Sequence, residues 1–191
     1  MKLLYICRAN IIRGPAAEII TEKKNYTEKW NITDLVVSSA GINYTSYPGI
    51  KPEMKEALKR LGYPSKQHTP RKVTEDLLYE QDLILCMTGE QVKEISERFP
   101  RLKKEKINTL FGYAGLSGEI DDPHGLVGRI QLFSMLEKTP HKFRQLAYYF
   151  FGKTDPRDYE GIIRMYEGIA KKIEKGVDGV LEKMIGKKGD R

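Results

Sequence analysis

The segment Cys7-Arg8-Ala9-Asn10-Ile11-Ile12-Arg13-Gly14 follows the apolar run 3–6 and leads into Pro15-Ala16-Ala17. A strand that ends at Cys7, a short loop, and a helix opened by Gly14 and Pro15 aim several backbone N–H groups and the positive end of the helix dipole at one point. That point is an anion site. A thiol beside a helix N-terminus and a cation ionises more readily than a free cysteine, and the thiolate is the nucleophile. Arg13 returns a planar fork that matches two phosphate oxygens, a geometry a lysine does not reproduce. The bare spacing C-x5-R is common, and Cys7 as a buried strand end with Arg13 as a surface charge is the plainer alternative. Its position at the strand-to-helix junction of an N-terminal βα unit favours the chemical reading.

The elements needed to hold this loop are legible. Runs at 2–6, 34–38, 82–87 and 106–110 read as short apolar strands. Helical patterns lie between them, from near Pro15 through Ile20, over 52–62 with Gly62 as a stop, and over 88–99 before Pro100. Alternation of this kind predicts an α/β fold, a parallel sheet with right-handed crossovers and helices on both faces. Ligands of such sheets bind beyond the carboxyl ends of the strands, where Cys7 falls. Beyond residue 125 the pattern turns helical, over about 126–151 and 156–185, and the first stretch carries the aromatics Phe143, Tyr148, Tyr149, Phe150 and Phe151. The expectation is one domain over 1–191 with a helical insertion at 126–155, whose aromatics by default pack it on the domain, the alternatives being a roof over the cleft or a contact between two subunits.

With 191 residues, 40% hydrophobic and 31% charged, the chain has enough apolar content for a single core. It has no apolar run long enough to span a bilayer and no signal-peptide pattern, so no membrane partner and a cytoplasmic location are expected. Two cysteines, Cys7 and Cys86, are too few for a disulfide framework and lack the partners of a zinc site, so no metal is expected. The net charge of +7 favours anionic ligands. No basic block is interleaved with aromatics, so nucleic acid is not an expected partner. A Lys/Glu-rich surface also suits a thermophilic source.

The loop resembles that of the low-molecular-weight protein tyrosine phosphatases, C-x-G-N-x-C-R-S-P, with Cys7, Asn10, Arg13 and Pro15 in place. The likeness continues through SSAGI (38–42), LGYPSKQHTPRKVTEDL (61–77), DLILCM (82–87) and YAGLSGEIDDPHG (113–125), and returns in the last helix. It implies a four-stranded parallel sheet flanked by helices and a phosphatase that needs no cofactor. Its substrates would be a phosphorylated protein or a small aryl phosphate, and its product inorganic phosphate. Cys7 would be the nucleophile, giving a phosphocysteine, and Arg13 the phosphate clamp. The general acid of the family is an aspartate before a proline. Asp122 fits through its flanking residues, whereas Asp155 reads as the cap of the last helix before Pro156. Asp121 reads as a solvated neighbour. The resemblance places Arg8, Ala9, Asn10, Ile11, Ile12, Gly14 and His124 against the substrate, and Ser39 and His68, with Asn10, in a brace beneath the loop. Cys86 reads as a small buried hydrophobe, and His141 has no assigned role.

Three positions depart from the pattern. Ala9 replaces a glycine. Ile12 replaces a second loop cysteine, removing the partner that would trap an oxidised Cys7 as a disulfide. Gly14 replaces a serine whose hydroxyl supports the thiolate, a loss worth about 1.5 to 3 kcal/mol. Two other functions compete. A branch of the same fold takes phosphate from arginine, with threonine where this chain has Ile11, and YAGLSGEI resembles that branch; Ile11 favours phosphotyrosine. A phosphate-binding module without turnover is suggested by Gly14 and Ala9, but would require neither Cys7 nor Asp122. Arsenate reductases share the loop, but their relay needs two further cysteines and only Cys86 is available.

Overall fold

The computed structural model describes residues 1–27, 30–43, 45–123 and 159–189. The apolar run after Met1 becomes β1 (Lys2–Cys7), and its chain leaves the sheet through the loop 8–12 into α1 (Arg13–Thr27). There follow β2 (Val36–Gly41), α2 (Pro52–Arg60), α3 (Glu75–Tyr79), β3 (Leu83–Cys86), α4 (Gly89–Arg98), β4 (Ile107–Thr109), α5 (Leu110–Ala114) and α6 (Tyr159–Gly189). The four strands form a parallel sheet in the order β2-β1-β3-β4, so β1 is central, with Ile6 opposite Ala40 on one side and Cys86 on the other.

Successive residues of a strand face opposite sides, and both faces are apolar, as a covered parallel sheet requires. Leu3, Tyr5 and Cys7 pack with Ile20 of α1, Met54 of α2 and Ile173 and Val177 of α6. Leu4, Ile6 and Cys86 pack on the other side with Leu78 of α3 and Ile95 of α4. Cys7 and Cys86 therefore belong to separate cores.

The parallel four-stranded sheet is as expected. The boundaries differ where local geometry outweighs hydrophobicity. The second strand starts at Val36 rather than residue 34, because Asp34 sits in the left-handed region at φ 60° and ends a turn. Helix α1 begins at Arg13, two residues before Pro15, so Arg13 is itself in the first turn. Helix α2 ends at Arg60 and the chain reverses through Gly62 at φ 81°. The short helices α3 and α5, each capped by a threonine side chain, Thr74 and Thr109, were not foreseen. Residues 126–155, with the expected insertion, lie outside the described residues.

Candidate active site

The loop between β1 and α1 is fixed from three directions. From β2, Ile42 N–H donates to the Cys7 carbonyl at 3.0 Å and Asn43 N–H to the Arg8 carbonyl at 2.9 Å. This contact requires Gly41, since a Cβ there would lie 2.9 Å from the Ala9 carbonyl carbon and 3.0 Å from Asn10 N. From the start of α2, Lys51 N–H donates to the Ile11 carbonyl at 2.9 Å. From α4, Glu94 accepts from Arg8 at 2.6 Å, tying the residue after Cys7 to the far face of the sheet.

Asn10 turns the loop with φ 58°, a conformation that asparagine tolerates better than most side chains and that needs support from its surroundings. It is fully buried and that support is complete. Its Nδ2 donates to Ser39 Oγ at 2.8 Å, its Oδ1 accepts from Arg71 N–H at 3.1 Å, and its carbonyl is 2.8 Å from His68 Nε2. Ser39 Oγ in turn donates a hydrogen bond to Glu18 Oε2 at 2.6 Å. A carbonyl only accepts, so His68 Nε2 carries the hydrogen. Burial, the chief cause, holds the imidazole pKa below its ordinary value, in keeping with a neutral ring.

Cys7 and Arg13, at opposite ends of the loop, are both buried, Arg13 to 2% exposure. A Cβ on Gly14 would lie 3.3 Å from Cys7 Sγ, so the sulfur sits over the first turn of α1, where unpaired N–H groups point outward. Arg13 Nη1 donates to the Ile120 carbonyl at 2.9 Å and Nη2 to the Asp122 carboxylate. Asp122 is thereby brought to Arg13 from 109 residues away. Its strand of chain is anchored by Ile120 N–H on the Met87 carbonyl at 3.0 Å and by Glu119 Oε1 accepting from Gly89 N–H at 2.6 Å, the first residue of α4. Asp121 points away, toward Lys172 of α6 at 3.1 Å.

Of the residues singled out in the sequence, the structure gathers Cys7, Asn10, Arg13, Gly14, Ser39, His68 and Asp122 at one place, with Ile11 and Ile12 buried in the adjoining core. His124, His141 and Asp155 lie outside the described residues. Cys86 is enclosed in the opposite core, and burial raises its thiol pKa far above the ordinary value. Sequence reasoning missed Glu18, Glu94, Glu119, Lys66 and Arg71. None of them carried a local signal: even Glu18, between Ala17 and Ile19, has neighbours in sequence that point to other sides of the helix. Among the described residues no cluster of three or more His, Cys, Asp or Glu side chains is placed to hold a metal. No described helix is long and apolar enough to cross a membrane.

The parallel sheet thus brings the end of β1, the loop that follows it, Arg13 of α1 and Asp122 together at one place. A model of the low molecular weight phosphotyrosine protein phosphatase family matches residues 2–190, and the chain belongs to that family. It is 30% identical to a protein-arginine-phosphatase of Bacillus subtilis over 149 residues, covering 77% of this chain and 95% of that protein. It is also 30% identical over 118 residues to the human low molecular weight phosphotyrosine protein phosphatase, covering 58% of this chain and 71% of the human one. Among solved structures, the arginine phosphatase of Geobacillus stearothermophilus superposes with a TM-score of 0.71 at 22% identity, covering 100% of this chain and 96% of that one. A low molecular weight protein tyrosine phosphatase from T. tengcongensis gives 0.70 at 23% identity, covering 96% of this chain and 99% of that one. The protein is a phosphoric monoester hydrolase of the low-molecular-weight tyrosine phosphatase type.

Proposed function

We propose that the protein hydrolyses phosphotyrosine in proteins by double displacement on Cys7. The Cys7 thiolate attacks phosphorus, forming the S–P bond as the P–O bond to the phenol breaks. Asp122 gives its proton to the departing phenolate oxygen. Asp122, now a carboxylate, takes a proton from water, whose oxygen attacks phosphorus and releases phosphate and the thiolate. The loop amides and the Arg13 fork hold the equatorial oxygens throughout. The observation that carries the reading is the convergence of the buried Arg13 with Asp122 at the loop whose other end is Cys7. The residues around the phosphate are then Arg8 to Ile12 and Gly14, with Asn10, Ser39 and His68 as the brace. A catalytic thiol of this kind works in a reducing compartment such as the cytoplasm.

Phosphoarginine is the second reading, supported by the extent of the match to the Bacillus subtilis protein-arginine-phosphatase. Against it, the resemblance puts threonine where this chain has Ile11. Turnover of phosphotyrosine and phosphoarginine side by side, with Cys7→Ser as blank, decides: preference for phosphotyrosine supports the first reading, preference for phosphoarginine replaces it.

A further inference from the structure

The segment 63–73, between α2 and α3, carries more of the loop's support than His68. Lys66 Nζ donates to Glu18 Oε1 at 2.7 Å and to both oxygens of Glu22 at 2.7 and 2.8 Å. Glu18 is the pivot. One of its oxygens takes Lys66 and the other takes the Ser39 hydroxyl, and its side chain is only 12% exposed. Burial works against the Lys66 charge, but the bonds to Glu18 and then Glu22 more than offset it, so the ammonium pKa stands above its ordinary value.

The donors and acceptors run in one direction. Asn10 Nδ2 has only hydrogens to give, so Ser39 Oγ must accept from it, and can hold that orientation only while its own hydrogen goes elsewhere. Glu18 receives that hydrogen. A carboxylate this enclosed needs its second oxygen satisfied, or it turns toward solvent and takes the acceptor away from Ser39. Resting on the catalytic reading of the Cys7 loop, we propose that Lys66 is a positioning residue for the reaction. Through Glu18 and Ser39 it fixes the amide of Asn10, and so the left-handed turn that aims the loop's N–H groups at phosphate. It touches neither substrate nor sulfur.

Glu22 supplies the control, since Glu22→Gln weakens the other half of the Lys66 ion pair without touching the relay. The measurement is steady-state turnover of p-nitrophenyl phosphate by the full chain, with thermal melting of every variant. Lys66→Met lowers kcat roughly tenfold, the scale of one charge-assisted hydrogen bond, with KM changed little. Lys66→Arg recovers most of the loss, and Glu22→Gln stays within about twofold of the native enzyme. Glu18→Gln gives a loss of the same sense, and the Lys66→Met, Glu18→Gln double variant is no slower than the slower single one, because both act on one relay. If Lys66→Met is too unstable to assay, Glu18→Gln compared with Glu22→Gln makes the same test. Equal kcat in Lys66→Met and Glu22→Gln, or losses that add in the double variant, overturns the proposal while leaving the phosphatase reading intact. A native protein inert toward the substrate with Cys7 in its reduced form overturns both.

Discussion

Arg13, the phosphate clamp of the proposed mechanism, donates to the carboxylate of Asp122, its proposed general acid. The two side chains thus form an ion pair. In the proposed mechanism the entering phosphate takes over the guanidinium, and the released carboxylate takes up a proton and turns to the leaving oxygen as the acid. The pair is lopsided in exposure, 3% for the Arg13 side chain and 34% for Asp122, so the acid is the partner with room to swing.

Asp122→Asn removes both the acid and the competitor for Arg13. Turnover of aryl phosphates falls by about 10²-fold or more, while competitive inhibition by inorganic phosphate strengthens. Asp155→Ala leaves turnover near native. Steady-state kinetics with phosphate as inhibitor check this, and a larger loss in Asp155→Ala than in Asp122→Asn contradicts the assignment.

At Gly14 a side chain would crowd three groups at once, Cys7 Sγ, Asn10 Nδ2 and Ser39 Cβ, each 3.3 Å from the added Cβ. Gly14→Ala measures that crowding and lowers kcat. Gly14→Ser adds the same atom with a hydroxyl able to donate to the thiolate, so it outperforms Gly14→Ala by roughly tenfold. Equal rates for the two variants would mean that a hydroxyl here gives the sulfur no support.

Gly41→Ala tests the seam between β2 and the loop. The new methyl meets loop backbone that cannot rotate away, at 2.9 Å from the Ala9 carbonyl carbon. Overpacking of this kind costs about 1 to 3 kcal/mol. Turnover and urea stability fall together, and a variant native in both contradicts the contact.

The sheet, the place of the loop and the nearness of Asp122 to it were legible because each rests on local pattern: an apolar strand, a helix start, an aspartate before a proline. What stayed hidden depends on distance in sequence. Glu94 meets Arg8 across 86 residues and Lys66 meets Glu18 across 48, and nothing in a run of surface-type Lys and Glu marks which of them face inward. Helices α3 and α5 span five residues each, too short for an apolar period, although their threonine caps were visible at Thr74 and Thr109.

His68 makes stability depend on pH in a definite direction. Its native pKa lies below the ordinary value of about 6.5, so across that window the unfolded chain binds the proton that the native one refuses. The stability it contributes is complete above about pH 6.5 and is lost as pH falls toward the depressed native value. Urea unfolding of native protein and His68→Asn at pH 7.5 and pH 5 gives a larger pH-dependent loss in the native protein. The same loss in both would show that His68 is not the group responsible.

Oxidation of Cys7 finds no partner. Cys86 packs in the opposite core with its thiol held protonated, so a sulfenic acid at Cys7 proceeds to higher oxidation states. After peroxide, dithiothreitol restores little activity, and full recovery would contradict the separation of the two thiols.

The central claim is that phosphate passes through Cys7. Rapid acid quench of Asp122→Ala turning over a phosphotyrosyl peptide, followed by peptide mass spectrometry, places the phosphoryl group on the fragment containing Cys7, and Cys7→Ser neither turns over nor labels. A phosphoryl group on another residue, or turnover surviving in Cys7→Ser, would contradict it.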